Sequence, residues 1–187
     1  MMAQLRIDMR LIIFVLLFVA GTAGHGQKYT AESSKITFFS KSPIEDITAD
    51  NLKSVSLFNA ESGEIAFSVP VREFKFAKSL MEEHFNEKYL DTEKYPKSTF
   101  SGKIVGYKPA TSGSQQVNAQ GKFTLHGITK EIDVPGTLEE VNGKIVMKAK
   151  FMVKLEDYEI PRPQVLWQNI AEVIEVSVDF TYKPHEK

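Results

Sequence analysis

The sequence of 187 residues contains no cysteine. This absence excludes disulfide bonds, thiolate zinc sites, iron–sulfur clusters and a thiol nucleophile. The sequence also has no excess of charge of one sign. It contains 23 Lys and Arg residues and 24 Asp and Glu residues, which give a formal net charge of −1. A nucleic-acid partner, which requires a basic surface, is therefore not expected. The length corresponds to one domain.

The sequence also lacks the glycine-rich phosphate loops of nucleotide-binding proteins. It has four histidines, and the two away from the chain ends, His84 and His126, show neither HxH nor HExxH spacing. We interpret His84 as a helix-surface residue and His126 as a turn residue beside Gly127. The sequence therefore predicts no catalytic residue, no metal site and no cofactor, and a protein that is not an enzyme. A hydrolase or isomerase that uses His126 is an alternative.

Residues 1–23 have the pattern of a secretory signal peptide. Two arginines precede the apolar run 11–20, and small residues follow as far as Ala23. The apolar run is shorter than the roughly 20 residues that a membrane-spanning helix needs. We therefore expect cleavage after Ala23 and a periplasmic or extracellular protein with one folded domain over 27–187.

Most of this domain shows the alternation of apolar and polar residues that is typical of strands with one buried face. Turn signals such as Asn142-Gly143 separate the alternating runs. The pattern predicts eight strands: 34–41, 50–59, 64–71, 98–108, 115–126, 128–138, 144–155 and 171–183. An all-β fold of sequential antiparallel strands is expected to be a barrel or a sandwich. An eight-stranded barrel is filled by side chains or holds one small ligand.

One segment, 79–89, shows helical spacing instead. Ser79 followed by Glu82 predicts a capping box, and the apolar residues recur on one face. We expect a short amphipathic helix that covers one end of the barrel, with Met81 and Phe85 facing inward.

Phenylalanine is unusually frequent, with 13 residues against a single tryptophan. Many of the phenylalanines fall on the apolar side of a predicted strand. They could fill the barrel, or they could line a pocket for an elongated apolar ligand. Small residues on the same faces, Gly102, Ala119, Gly121 and Ala149, could leave a void or could fit the taper of a barrel. The sequence leaves both interpretations open.

Three segments, in this order after a signal peptide, resemble the YceI-like family of exported bacterial proteins, also described as polyisoprenoid-binding or lipid-binding. The segments are 81–90 (MEEHFNEKYL) with Lys94-Tyr95-Pro96, 121–130 (GKFTLHGITK), and 151–160 (FMVKLEDYEI). The resemblance covers 27–184.

The resemblance implies a lipocalin-like, eight-stranded antiparallel β-barrel that encloses a long apolar chain for transport or sequestration. The ligand would be a polyisoprenoid, an isoprenoid quinone or a similar amphiphile. The sequence leaves two other partners open: a membrane, through a transient contact, and a second copy of the chain in a homodimer. The inward-facing positions predicted to contact the ligand are Phe38, Phe67, Val69, Phe85, Phe100, Ile104, Phe123, Leu125, Phe151, Trp167, Val176 and Phe180. The alternative is a ligand-free barrel that acts as an envelope stress or protein-interaction module.

Overall fold

The computed structural model describes residues 28–42, 45–109, 111–162 and 170–185. The predicted signal peptide and Trp167 lie outside these residues. The strands are β1 (Lys28–Ser40), β2 (Ile47–Asn51), β3 (Val55–Asn59), β4 (Glu64–Pro70), β5 (Lys75–Phe76), β6 (Lys97–Val105), β7 (Gln115–Leu125), β8 (Ile128–Val141), β9 (Lys144–Lys154) and β10 (Val173–Pro184).

Eight of these strands close into an antiparallel barrel. The order around the barrel is β1-β3-β4-β6-β7-β8-β9-β10, and β10 returns to pair with β1. The remaining two strands extend the sheet, because β2 pairs with the second half of β1 and β5 pairs with β2. The predicted eight-stranded antiparallel barrel is therefore confirmed, with two short strands added at one end.

The single strand predicted over 50–59 is wrong, because the chain bends between β2 and β3. Asn51 is fully buried at this bend. Its side-chain oxygen accepts hydrogen bonds from the Lys53 N–H at 2.9 Å and the Ser54 hydroxyl at 3.1 Å. Its amide donates to the Pro70 carbonyl at 2.8 Å. These hydrogen bonds offer the backbone an alternative to the sheet ladder, so the strand ends at Asn51.

The predicted helix over 79–89 is present, but it has two parts. Helix α1 covers Ser79–His84 and continues as a π-helical turn over Phe85–Tyr89. The predicted capping box is wrong, because Lys78 occupies the N-cap position. Glu82 instead accepts hydrogen bonds from the Phe76 N–H at 3.4 Å and from Lys75. Within the described residues, no helix is long and apolar enough to cross a membrane.

The end of the barrel opposite α1 is tightly packed. Phe58, Leu138, Ile145 and Tyr182 are at most 1% exposed there. The Tyr182 hydroxyl lies 2.7 Å from the Ser56 hydroxyl, which satisfies this buried polar group. Burial raises the pKa of the Tyr182 phenol, which therefore stays neutral. Side chains fill this end of the barrel.

Two of the small inward-facing residues allow β6 and β7 to approach closely. Gly102 lies directly opposite Gly121. A Cβ atom on Gly102 would lie 2.1 Å from the Gln120 carbonyl oxygen, and one on Gly121 would lie 2.4 Å from that of Ser101. These two glycines therefore fit the taper of the barrel and leave no void, which decides between the two interpretations at these positions.

Candidate functional site

The barrel encloses two apolar cavities, and the larger one lies at the end that α1 covers. Its volume is about 100 Å³. Strand residues such as Phe38, Val69 and Val176 form its sides, and Phe85 and Tyr89 of the π-helical turn contribute to the wall. Nearly all the lining residues are apolar. The hydroxyl of Ser98, a polar residue of the wall, is already used in a 2.8 Å hydrogen bond to the Thr124 carbonyl. The cavity is therefore suited to an apolar group.

A second cavity of about 60 Å³ lies farther along the barrel, towards the tightly packed end. Phe67, Phe151 and Val178 line both cavities. We call these three residues the dividing layer. The Phe67 ring stacks on Phe100 at 5.3 Å and lies 5.8 Å from Phe180. The interior is thus an apolar space interrupted by one layer of side chains.

The ligand-contacting residues predicted from the sequence surround the interior of the barrel, apart from Trp167, which lies outside the described residues. All the predicted ligand-contacting residues that the structure describes line at least one of the two cavities. Those around the larger cavity are Phe38, Phe67, Val69, Phe85, Phe123, Leu125, Phe151 and Val176, and those around the second are Phe67, Phe100, Ile104, Phe151 and Phe180. Whether these residues contact a ligand stays a prediction.

Several wall residues were not predicted. Ile36, Val153, Ile174 and Val178 continue the alternation of strands whose neighbouring residues were predicted, so the sequence contained their signal. Val71, Phe74, Leu155 and Ile160 also line the larger cavity, but they lie in or beside two 3₁₀ turns, Val71–Glu73 and Leu155–Tyr158. Strand periodicity could not have identified Phe74 and Ile160. Val71 and Leu155, by contrast, are in phase with Val69 and Val153 at the ends of the strands predicted over 64–71 and 144–155.

His126 is a turn residue, as predicted. Its φ angle is 50° and that of Gly127 is 76°, values that a tight hairpin turn requires. The His126 Nδ1 donates to the Tyr158 carbonyl at 3.0 Å, and the ring lies 4.4 Å from the Tyr95 ring. These contacts fix the turn that follows β9 against the β7–β8 hairpin. Among the described residues, no three His, Asp or Glu side chains are grouped so that they could hold a metal ion.

The barrel wall is incomplete between β8 and β9. Within the described residues, the ladder joins Gly136–Val141 to Lys144–Ala149 and extends no further. Pro135 stands at this point and has no N–H to donate. We call the separation between 128–135 of β8 and 150–154 of β9 the β8–β9 gap. Beside it, inward-facing Ile132 and Phe151 are only half-buried, so the interior is less well covered here than at the tightly packed end.

The comparisons with known proteins agree with this architecture. A family model described as the YceI-like domain matches residues 28–182. The chain belongs to the YceI-like family. The resemblance found in the three sequence segments is therefore confirmed. No curated protein matches this YceI-like chain.

Solved structures share the fold of the YceI-like chain at low sequence identity. A polyisoprenoid-binding domain from Saccharophagus degradans, implicated in plant cell wall breakdown, has a TM-score of 0.73 at 15% identity, and the match covers 84% of this chain and 98% of that one. BcnA from Burkholderia cenocepacia has a TM-score of 0.65 at 18% identity, with 79% and 95% covered. A YceI protein from Campylobacter jejuni has 0.53 at 14%, with 72% and 81% covered.

Proposed function

We propose that this YceI-like chain binds the apolar tail of a long amphiphile, such as a polyisoprenoid or an isoprenoid quinone, inside its barrel for transport or sequestration. The observation that carries the proposal is the apolar interior, which extends from α1 past the dividing layer. The fold shared with a polyisoprenoid-binding domain supports it.

The volumes of the cavities determine how such a tail would be accommodated. The larger cavity, at about 100 Å³, is smaller than the cavity of about 150 Å³ that is known to take up benzene. A long tail therefore has to displace side chains. Phe67 and Phe151 of the dividing layer are the candidates, because both are half-buried and line both cavities. Their displacement would join the two cavities into one elongated space.

The free energy available from the tail is sufficient for this rearrangement. Burial contributes about 0.8 kcal/mol per CH₂ group, so a tail of about twenty carbons gives a gross term of about 16 kcal/mol. Micromolar binding requires about 8 kcal/mol. The difference offsets the ordering of the tail and the movement of the dividing layer.

A second candidate function is a protein-interaction module with a filled barrel. The small cavities favour it, and so do three exposed apolar residues on and beside β3. Leu52, Val55 and Leu57 are 63%, 64% and 58% exposed. Exposed apolar groups of this kind are common at protein contacts. This function predicts that the interior takes up no tail.

The test is a titration with geranylgeraniol, followed by native mass spectrometry and isothermal calorimetry. We expect one molecule to bind per chain with micromolar or lower Kd. Val176→Phe places a phenyl ring in the larger cavity and should weaken binding at least tenfold. Val173→Phe, on the same strand but exposed, is the matched control and should bind as the wild type does. Absence of binding to the wild type would favour the interaction module.

We propose further that the chain is exported, with residues 1–23 removed. The support is the sequence pattern alone: arginines, a short apolar run and small residues. N-terminal sequencing of the protein recovered from the periplasm or medium of its host tests this. A mature chain that begins near Gly24 is expected, and a full-length chain retained in the cytoplasm would contradict export.

A further inference from the structure

Lys130 is a charged residue on the inward-facing side of β8. It lies directly opposite Phe123 of β7, and paired residues of neighbouring strands share one face of the sheet. Phe123 is buried and lines the larger cavity. The lysine side chain therefore starts on the inner face of the sheet, beside the cavity wall, at a position where an aliphatic residue would be expected. Lys130 lines neither cavity itself, and its side chain extends to Asp157, which follows β9.

The ammonium group of Lys130 lies at the edge of the β8–β9 gap. Its Nζ donates to the Asp157 carboxylate at 2.7 Å and lies 5.6 Å from the centre of the Tyr158 ring. The lysine side chain is 40% exposed and that of Asp157 is 47% exposed. An ammonium group has three N–H donors, so the hydrogen bond to Asp157 leaves donors for another acceptor. Both water and a ligand can therefore reach the ammonium group.

The charges around Lys130 nearly cancel. Asp157 neutralises Lys130, and the neighbouring Lys154 pairs with Glu156. The hydrogen bond from Lys130 holds the pKa of the Asp157 carboxyl below its ordinary value of 3.8, so the carboxylate is ionised at neutral pH. An anionic group brought to Lys130 would meet this carboxylate at close range, and repulsion between like charges would weaken its binding. A neutral oxygen acceptor would not meet that repulsion.

From this arrangement we infer that the Lys130–Asp157 pair is the subsite for the polar head of the ligand and selects a neutral, oxygen-bearing head over an anionic one. The inference rests on the proposed function, because a tail has to occupy the interior for its head to reach the β8–β9 gap. Lys130 donates to the hydroxyl or carbonyl oxygen of the head, and Asp157 disfavours a phosphate. The ligand class is thus a prenyl alcohol or a quinone, not a prenyl diphosphate.

Two probes with the same tail test the selection: geranylgeraniol, which is neutral, and geranylgeranyl diphosphate. Kd values are measured for the wild type and for Lys130→Met, Asp157→Asn and Lys122→Met. Lys122 is an exposed lysine of β7 and serves as the matched control. Inorganic diphosphate alone is a third titration, which separates a lipid-head subsite from a simple anion site.

The wild type should bind geranylgeraniol at least tenfold more tightly than the diphosphate. Asp157→Asn should strengthen binding of the diphosphate about tenfold and change geranylgeraniol little. Lys130→Met should weaken both probes, the diphosphate more strongly because Asp157 is then unpaired. Lys122→Met should change neither, and inorganic diphosphate should not bind measurably.

Equal changes for the two probes in Asp157→Asn and Lys130→Met would overturn the inference, because a merely structural ion pair does not discriminate between heads. Tight binding of inorganic diphosphate would overturn it as well. If the wild type binds neither prenyl probe, the proposed function itself fails. The ratio of the two Kd values thus separates a failure of the head subsite from a failure of tail binding.

Discussion

Removal of the Phe67 ring should destabilise the barrel and strengthen the binding of a long tail. Truncation of a buried phenylalanine to alanine costs about 3–5 kcal/mol. Phe67 is half-buried and already borders two cavities, so we expect a loss near the lower limit, about 3 kcal/mol. The stacking with Phe100 at 5.3 Å is lost as part of this cost.

The same change removes one of the side chains that a tail would have to displace. The affinity for geranylgeraniol should therefore rise about tenfold, equivalent to about 1.4 kcal/mol. The affinity for the ten-carbon alcohol geraniol should rise less, because its shorter tail extends less far into the dividing layer. Urea denaturation measures the first effect, and calorimetric titration measures the second.

Phe58→Ala is the control for Phe67→Ala. Phe58 is 1% exposed and lies at the tightly packed end, away from the walls of both cavities. This variant should lose at least as much stability without any gain in affinity. If Phe67→Ala is destabilised but binds geranylgeraniol no better than the wild type, the dividing layer does not obstruct the tail, and our reasoning about the interior is refuted.

Three further predictions concern other parts of the barrel. Tyr182→Phe should lower the free energy of unfolding by about 1 kcal/mol, because the hydrogen bond to Ser56 is lost; an unchanged urea midpoint would contradict this. Gly121→Ala places a Cβ atom 2.5 Å from the Gly102 Cα, so its melting temperature should fall clearly, and a rise would contradict the close approach of the strands. The Asp157 carboxyl should titrate below 3.8. Its ion pair should therefore persist at mildly acidic pH and be lost as pH falls through this lowered pKa, which an NMR titration measures.

The inner face of the barrel was predictable because alternation along a strand reports directly which side chains are buried. Phe100 and Phe123 were identified in this way, and the structure pairs them across β6 and β7 on the inner face. The closure into eight strands followed from the number of alternating runs and from the family resemblance. Strand periodicity thus accounts for most of the cavity wall.

Features set by single hydrogen bonds or by strand pairing were not predictable. The strand expected over 50–59 ends at Asn51 because one buried amide organises a bend, and no periodic pattern reports this. Ile160 reaches the cavity from beyond the irregular turn Leu155–Tyr158, outside any alternating run. The β8–β9 gap was also missed, since alternation within a strand does not report how far two strands pair. Pro135 was the available signal, because proline interrupts the ladder of a central strand.

The most direct test of tail binding is native mass spectrometry of the protein purified from its own host, followed by organic extraction of the bound material. The account predicts one equivalent of a neutral, long-chain prenyl compound per chain, released when the protein unfolds. A chain that carries no lipid, and that binds none after incubation with geranylgeraniol and a prenyl quinone, would contradict the account. That result would favour the protein-interaction module with a filled barrel.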